Sequence, residues 1–356
     1  MNKYVKRYLI DALGGMAQGP FASLLIGTIV KTLGQQLLRL GSNPIFTFLV
    51  DAGAFASDAH VVGAAMAIGI GFAMQVPALV LFTLAATGSA ANVTGGAGGP
   101  LAVLFIAILS AEAGCLVSKK TKVDIIVTPL VTLLTGSLLT VITAKYIGKA
   151  ASAFGNIIVW ATTLRPFLMG MIISLLVGVL LTLPVSSAAI CAALGLTGLA
   201  GGAAVAGCCA QMVGFAVLSF KENRWSGLLS QGLGTSMLQM PNIIKNPKIW
   251  IPACLSSLIT GPVATCIFKM EMNGAAVSSG MGTCGLVGQI GVISGWFNPS
   301  QTALSHGASA AAPSGFDWLG LILVCFVLPG ILTWLFGKFF RKLDWIKDGD
   351  LLLENS

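Results

Sequence analysis

Residues Ala59–Ala111 read AHVVGAAMAIGIGFAMQVPALVLFTLAATGSAANVTGGAGGPLAVLFIAILSA, without one Asp, Glu, Lys or Arg. A helix needs about 20 apolar residues to cross a bilayer, so the stretch holds roughly two crossings with a break between them. The break is marked by Gln75-Val76-Pro77 and then by the glycines Gly95, Gly96, Gly98 and Gly99. A second charge-free run, Pro166–Phe220, has the same outline, with Leu183-Pro184 followed by Gly201-Gly202. In lipid, irregular backbone survives only where it is buried in protein or lines a watery cavity. Paired interrupted segments therefore point to a transporter core. The shared outline is read either as an internal repeat or as two independent small-residue packing interfaces.

The whole chain agrees. Its 356 residues are 56% hydrophobic and only 9% charged, against about 25% charged in a soluble domain. Short alternating segments of the kind a β-barrel needs are absent. The expected fold class is an all-α polytopic membrane protein. Candidate segments are Leu13–Leu33, Pro44–Ala56, Val61–Leu84, Pro100–Val117, Ile125–Ala144, Phe167–Leu183, Ala203–Phe220, Trp250–Phe268, Ala276–Trp296 and Trp318–Phe336. That is eight firm spans, or ten with the shorter ones. Ile147–Trp160 and Ser226–Met240 are mildly amphipathic and read as helices along the membrane plane or as ordinary loop helices.

The formal net charge of +8 does not imply nucleic-acid binding, because the basic residues flank apolar segments. Lys3, Lys6 and Arg7 precede the first span; Lys119, Lys120 and Lys122 follow another; Lys338, Arg341 and Lys342 follow the last. This is the positive-inside pattern, and it places both termini in the cytoplasm. The eight cysteines lie in apolar stretches without metal-ligand spacing and read as buried thiols. Neither a metal nor a cofactor is implied. No hydrolase elbow, Walker loop or zinc motif is present.

Polar residues within apolar stretches are the candidates for chemistry, since a charge at a helix centre costs about 2.5–3.5 kcal/mol on insertion scales. Glu112 is read as a ligand or proton site, or as an interfacial acid reaching towards Lys119 or Lys120. Asp51 and Asp58, His60 and His306 read as loop residues, and Glu271 as the interfacial partner of Lys269. A third charge-free run, Met272–Phe316, carries Gly282, Gly285, Gly288 and Gly291 around Gln289. That spacing makes a packing groove in a helix, or frees backbone groups for a ligand where the helix is broken. The densest polar stretch is Gly234–Pro247. There Gln239, Asn242 and Asn246 lie among two prolines, and amides both donate to and accept from hydroxyl-rich ligands.

Those residues, with Tyr8–Gly19 (YLIDALGGMAQG) and Met281–Gln289 (MGTCGLVGQ), resemble the membrane permease (IIC) family of the bacterial phosphotransferase system, closest to a stand-alone branch. The resemblance covers nearly the whole chain. It implies a single integral membrane domain over 1–356 with about ten helices and re-entrant hairpins, in the bacterial cytoplasmic membrane. It also implies a homodimer, a small polar solute such as a sugar, and phosphorylation by separate IIA and IIB proteins. No attached IIA or IIB domain is expected. The Gly-Ile-Thr-Glu type motif of sugar-binding permeases is not visible, and Pro241–Pro247 carries no acid. The expected solute contacts are Glu112, Gln239, Asn242, Asn246 and Gln289. Two other readings stay open: a transporter uncoupled from phosphorylation, and a membrane sensor or scaffold with the same fold.

Overall fold

The computed structural model describes residue 4 and residues 6–38 and 41–353; Lys3 of the first basic cluster lies outside them. It is helical almost throughout, and among the described residues the sole β-pairing is an isolated antiparallel bridge between Gly198 and Met272. The chain divides into two compact units, 1–151 and 152–356.

In the first unit, α1 (Lys6–Leu38) packs against α3 (Ala59–Ala73). Helix α2 (Pro44–Ala56) starts at Asn43, whose side chain caps the amide of Ile45, and meets α3 at a 52° bend. Asp58 caps α3 through the amide of His60. Pro77 starts α4 (Ala78–Gly95). At Gly96 the backbone turns to φ 52°, a conformation that suits glycine because it lacks a Cβ. There the chain doubles back, and α5 (Gly99–Val117) packs alongside α4 as a hairpin. At 1.5 Å per residue each arm is about 27–29 Å long, close to the thickness of the hydrocarbon core. The third element of this bundle is the N-terminal part of α6 (Asp124–Thr162), a helical stretch of about 58 Å with a π-helical turn at Thr140–Ala144.

The second unit is built around α9 (Gly198–Leu218), nearly all of whose side chains are buried. Before it come α7 (Pro166–Thr182) and the short α8 (Ser187–Ala193). After it come α10 (Phe220–Leu229), α11 (Met240–Lys245) and α12 (Pro247–Ile267). The chain closes with α13 (Val287–Phe297), α14 (Gln301–Ser305) and α15 (Gly315–Lys342). Helices α7, α12 and α15 surround α9. The approach of α7 to α9 is so close that a Cβ on Gly207 would collide with the carbonyl of Ser174.

Among the described residues, six helical stretches are long and apolar enough by length and composition to cross a membrane, the α4–α5 hairpin counting as one of them, and the bent α2–α3 pair brings the number to seven. About ten were expected, and the difference has identifiable causes. Val61–Leu84 is split at Gln75–Pro77. Ile147–Trp160 is the continuation of the preceding helix, not a separate element. Ala276–Trp296 is irregular up to Leu286, leaving only the 11-residue α13. Ser226–Met240 does not lie along a surface: Gln231, Ser236, Gln239 and Met240 are buried. The two charge-free runs also diverge, since the element between the breaks is the 18-residue α4 in the first and the 7-residue α8 in the second. Gly201 and Gly202 are helical; the break precedes them, at Gly195 (φ 59°) and Gly198 (φ 66°).

Candidate functional site

The second unit interrupts its helices at two places in sequence that meet in space. One is Leu194–Thr197, between α8 and α9. The other is Phe268–Leu286, between α12 and α13. Paired amide and carbonyl groups of Gly198 and Met272 (3.0 Å each) join them. Ser187 donates to the carbonyl of Gly280 (2.7 Å) and Ser279 to that of Leu196 (2.6 Å). The free backbone groups that a break leaves in an apolar setting are thus partly satisfied by each other. Glycine is required at Gly202, where a Cβ would strike the carbonyl of Met270.

Beside this junction is a cavity of about 150 Å³ lined by Phe268, Lys269, Glu271, Asn273, Trp296 and Asp317 among others. Asn273 donates through Nδ2 to Glu271 Oε2 (2.8 Å), fixing the carboxylate. Among the ion pairs of the described residues none joins Lys269 to Glu271, and Lys269 has the left-handed φ of 46°. The aromatic wall is held from behind. Trp296 meets Trp318 edge-on (centroids 4.9 Å) and Phe268 packs on Phe316 (4.8 Å). Asp317 is tied as the N3 member of a capping box, accepting from the amide and hydroxyl of Ser314 (2.7 Å each). The segment Gln301–Pro313 borders the opening. It is attached by Ala311 N to Trp296 O (2.9 Å), by Ser300 N to Asn273 O (2.9 Å) and by His306 Nδ1 with Thr197 Oγ1 (3.1 Å). Carboxylate, amide and aromatic faces around a small polar space are chemistry for a hydroxylated ring or a similar small solute.

Glu112, Gln239, Asn242, Asn246 and Gln289, the expected solute contacts, do not line this cavity. Gln239, Asn242 and Asn246 do come together, but around the chain's own C-terminal segment. Gln239 Nε2 donates to Leu351 O (3.0 Å), Asn242 Nδ2 to Leu352 O (2.9 Å) and Asn246 Nδ2 to Trp345 O (2.9 Å). Gln289 is buried, with Nε2 on Cys209 Sγ (3.2 Å) and Oε1 without a partner. The glycines around it take both roles their spacing allowed. Gly282 and Gly285 have positive φ in broken backbone, while Gly291 and Gly295 face Ser278 and Asn273 at close range from within α13. Glu112 pairs with Arg7 (2.9 Å) in the first unit, not with Lys119 or Lys120.

One buried polar hub was not anticipated. Gln211, in the middle of α9, accepts from Trp250 Nε1 (2.8 Å) and Thr182 Oγ1 (3.3 Å) and donates to Ser257 Oγ (3.3 Å). Thr182 continues to Ser236 (2.8 Å), so one amide ties α7, α9, α12 and the turn before α11. It is the only Asn or Gln in the run Pro166–Phe220, and that solitude was the available signal.

No curated protein and no solved structure matches the chain. The family model of the phosphotransferase system, EIIC, matches residues 10–353. With its apolar helices, broken segments and nearly full-length match, the chain belongs to the EIIC family of phosphotransferase-system membrane permeases.

Proposed function

We propose that this permease binds a monosaccharide-sized, hydroxyl-rich solute in the cavity at Glu271 and carries it across the bacterial cytoplasmic membrane. The observation that carries the reading is the Asn273-oriented carboxylate of Glu271 facing a small space walled by Trp296 and Phe268. An ionised carboxylate accepts hydrogen bonds from two sugar hydroxyls, and such charge-assisted bonds are about twice as strong as neutral ones. Apolar ring faces suit the C–H face of a pyranose. About 150 Å³ is small beside the ~300–1,000 Å³ of drug-sized ligand pockets, which favours a single ring over an oligosaccharide.

The irregular backbone around Glu271 is carried on the central helix. Thr197–Gly198 and Lys269–Ala275 are joined by one bridge, and Met270 and Met272 pack with Val205, Ala206 and Cys209 of α9, so the pair moves together with α9. In this reading the chain works as one permease domain within a homodimer, with both termini cytoplasmic. The phosphoryl group comes from separate IIA and IIB partners, and the chain itself contributes binding and movement.

The test is a ligand-stabilisation screen on the purified protein with hexoses, hexitols and non-hydroxylated solutes of equal size. A ligand at 100 times its Kd stabilises the folded state by about 2.7 kcal/mol, which a melting curve resolves. A response confined to hydroxylated rings supports the reading. Stabilisation only by solutes without hydroxyl groups would overturn it.

A further inference from the structure

The C-terminal segment is bound the way a peptide ligand is bound. Three side-chain amides, on Gln239, Asn242 and Asn246, donate to its carbonyls at Leu351, Leu352 and Trp345. Asn223 grips it from the other side, with Nδ2 on Leu351 O (2.8 Å) and Oδ1 accepting from Leu353 N (2.9 Å). These amides support each other: Asn242 Nδ2 donates to Gln239 Oε1 (2.9 Å), Gln239 Nε2 to Gln231 Oε1 (2.9 Å), and Gln231 Nε2 to Ser219 Oγ (2.8 Å). Leu351 is fully buried and anchors the segment.

Charge gives the groove its sequence preference. Asp348 accepts from Lys221 Nζ (2.7 Å) and Arg341 Nη1 (2.9 Å), and Asp350 accepts from Asn246 Nδ2 (2.8 Å). Arg341 is held in turn by Glu222 (2.7 Å). The bound segment is itself turned, with Asp350 N on Lys347 O and Leu352 N on Gly349 O (3.2 Å each). An apolar anchor, a row of amides reading main-chain carbonyls and a cation pair reading one aspartate are the parts of a site for a short acidic turn.

The groove connects to the buried core. Ser236 sits on the same short turn as Gln239 and is hydrogen-bonded to Thr182, which contacts Gln211. The turn that carries Gln239 is thus tied through Thr182 to the central helix.

We propose that Asp348–Leu353 is a dissociable strap: a built-in peptide ligand of the Asn223–Asn246 groove, whose binding orders Ser230–Lys245 and whose release frees it. The aspartate contacts are solvent-exposed (side chains of Lys221 and Asp348 66% and 71% exposed) and so exchange readily. The groove is thereby distinct from the cavity at Glu271, and its test reads no transport.

Hydrogen exchange on the full-length protein in lipid nanodiscs tests the strap. Leu351→Ala should raise exchange about tenfold or more in both 347–353 and 230–245, with Gly198–Leu218 unchanged. Asp348→Asn, on the surface and harmless to folding, should raise both by about twofold to threefold. An excess of synthetic peptide spanning 345–353 should restore protection of 230–245 in the Leu351→Ala protein. Faster exchange confined to the tail, or failure of the peptide to restore protection, overturns the proposal. If Leu351→Ala does not fold, an unchanged 230–245 segment in Asp348→Asn overturns it equally.

Discussion

Replacing Gln211 by leucine removes the hub of the second unit while keeping its volume. Of its four partners, Thr182 keeps Ser236 (2.8 Å) and Ser257 keeps the carbonyl of Ala253 (3.0 Å). Cys254 Sγ, which accepts from Gln211 Nε2 at 3.7 Å, is a weak acceptor and loses little. Only the indole N–H of half-buried Trp250 is left without its 2.8 Å acceptor. An orphaned buried donor costs about 1–3 kcal/mol, but pairwise couplings within bilayers average about 0.6 and reach about 1.7 kcal/mol. Because one good bond is lost in a crowded site, Gln211→Leu should destabilise the unit by about 2 kcal/mol. The informative quantity is the cycle with Trp250→Phe, which removes the stranded donor. The double variant should be about 1 kcal/mol more stable than the sum of the two single changes. Reversible unfolding in mixed micelles, with wild type and the three variants side by side, reads this directly. Additivity within the usual ~0.3–0.5 kcal/mol scatter of independent sites would refute the claim that Gln211 and Trp250 are energetically joined.

Other consequences follow from the same structure. Gly207→Ala places a Cβ against the Ser174 carbonyl and should cost about 1–3 kcal/mol through overpacking, read by the same unfolding assay. The Arg7–Glu112 pair is about one-third exposed on both sides, so Glu112→Gln should cost less than about 1 kcal/mol and leave solute binding at its wild-type level by melting shift. Lys221, by its hydrogen bond and then its charge, with Arg341 adding to it, lowers the Asp348 carboxyl below its usual value. A lowered folded-state value means the aspartate's contribution is complete above the unfolded value, about 3.9, and is lost as pH falls through the folded one. Strap protection, corrected for intrinsic exchange rates, should accordingly be flat from pH 7 to about 4 and decline only below that.

What could be read from the sequence was what depends on local composition. Freedom from charge over Ala59–Ala111 and Pro166–Phe220 marked the apolar helices, and proline and glycine marked real breaks at Gln75–Pro77, Gly96 and Leu183–Ser186. The glycine pair Gly201-Gly202 was misleading for a physical reason. Glycine serves tight helix packing as well as broken backbone, and here it admits the Met270 carbonyl. The roles of Gln239, Asn242 and Asn246 depended on a segment about a hundred residues away, and no local pattern could assign them to it. Glu271 beside Lys269 looked like an ion pair at i, i+2. Only the left-handed turn at Lys269 and the folding back of Trp296 and Asp317 make it the wall of a cavity. Individual element bounds were less legible where lengths are set by tertiary structure: α6 runs far past one bilayer thickness, and Ala276–Leu286 is irregular where it packs against α8 and α9.

The central claim is that Glu271 holds the solute. Its most direct test is equilibrium binding and counterflow of the stabilising sugar in proteoliposomes, comparing wild type with Glu271→Gln. The substitution keeps the shape of the side chain but removes its charge. Losing charge-assisted hydrogen bonds worth about 1.5–3 kcal/mol should weaken binding by about 10- to 100-fold and slow counterflow at sub-saturating sugar, while the protein stays folded. Wild-type affinity and counterflow in the Glu271→Gln protein would contradict the account and place the solute site elsewhere in the fold.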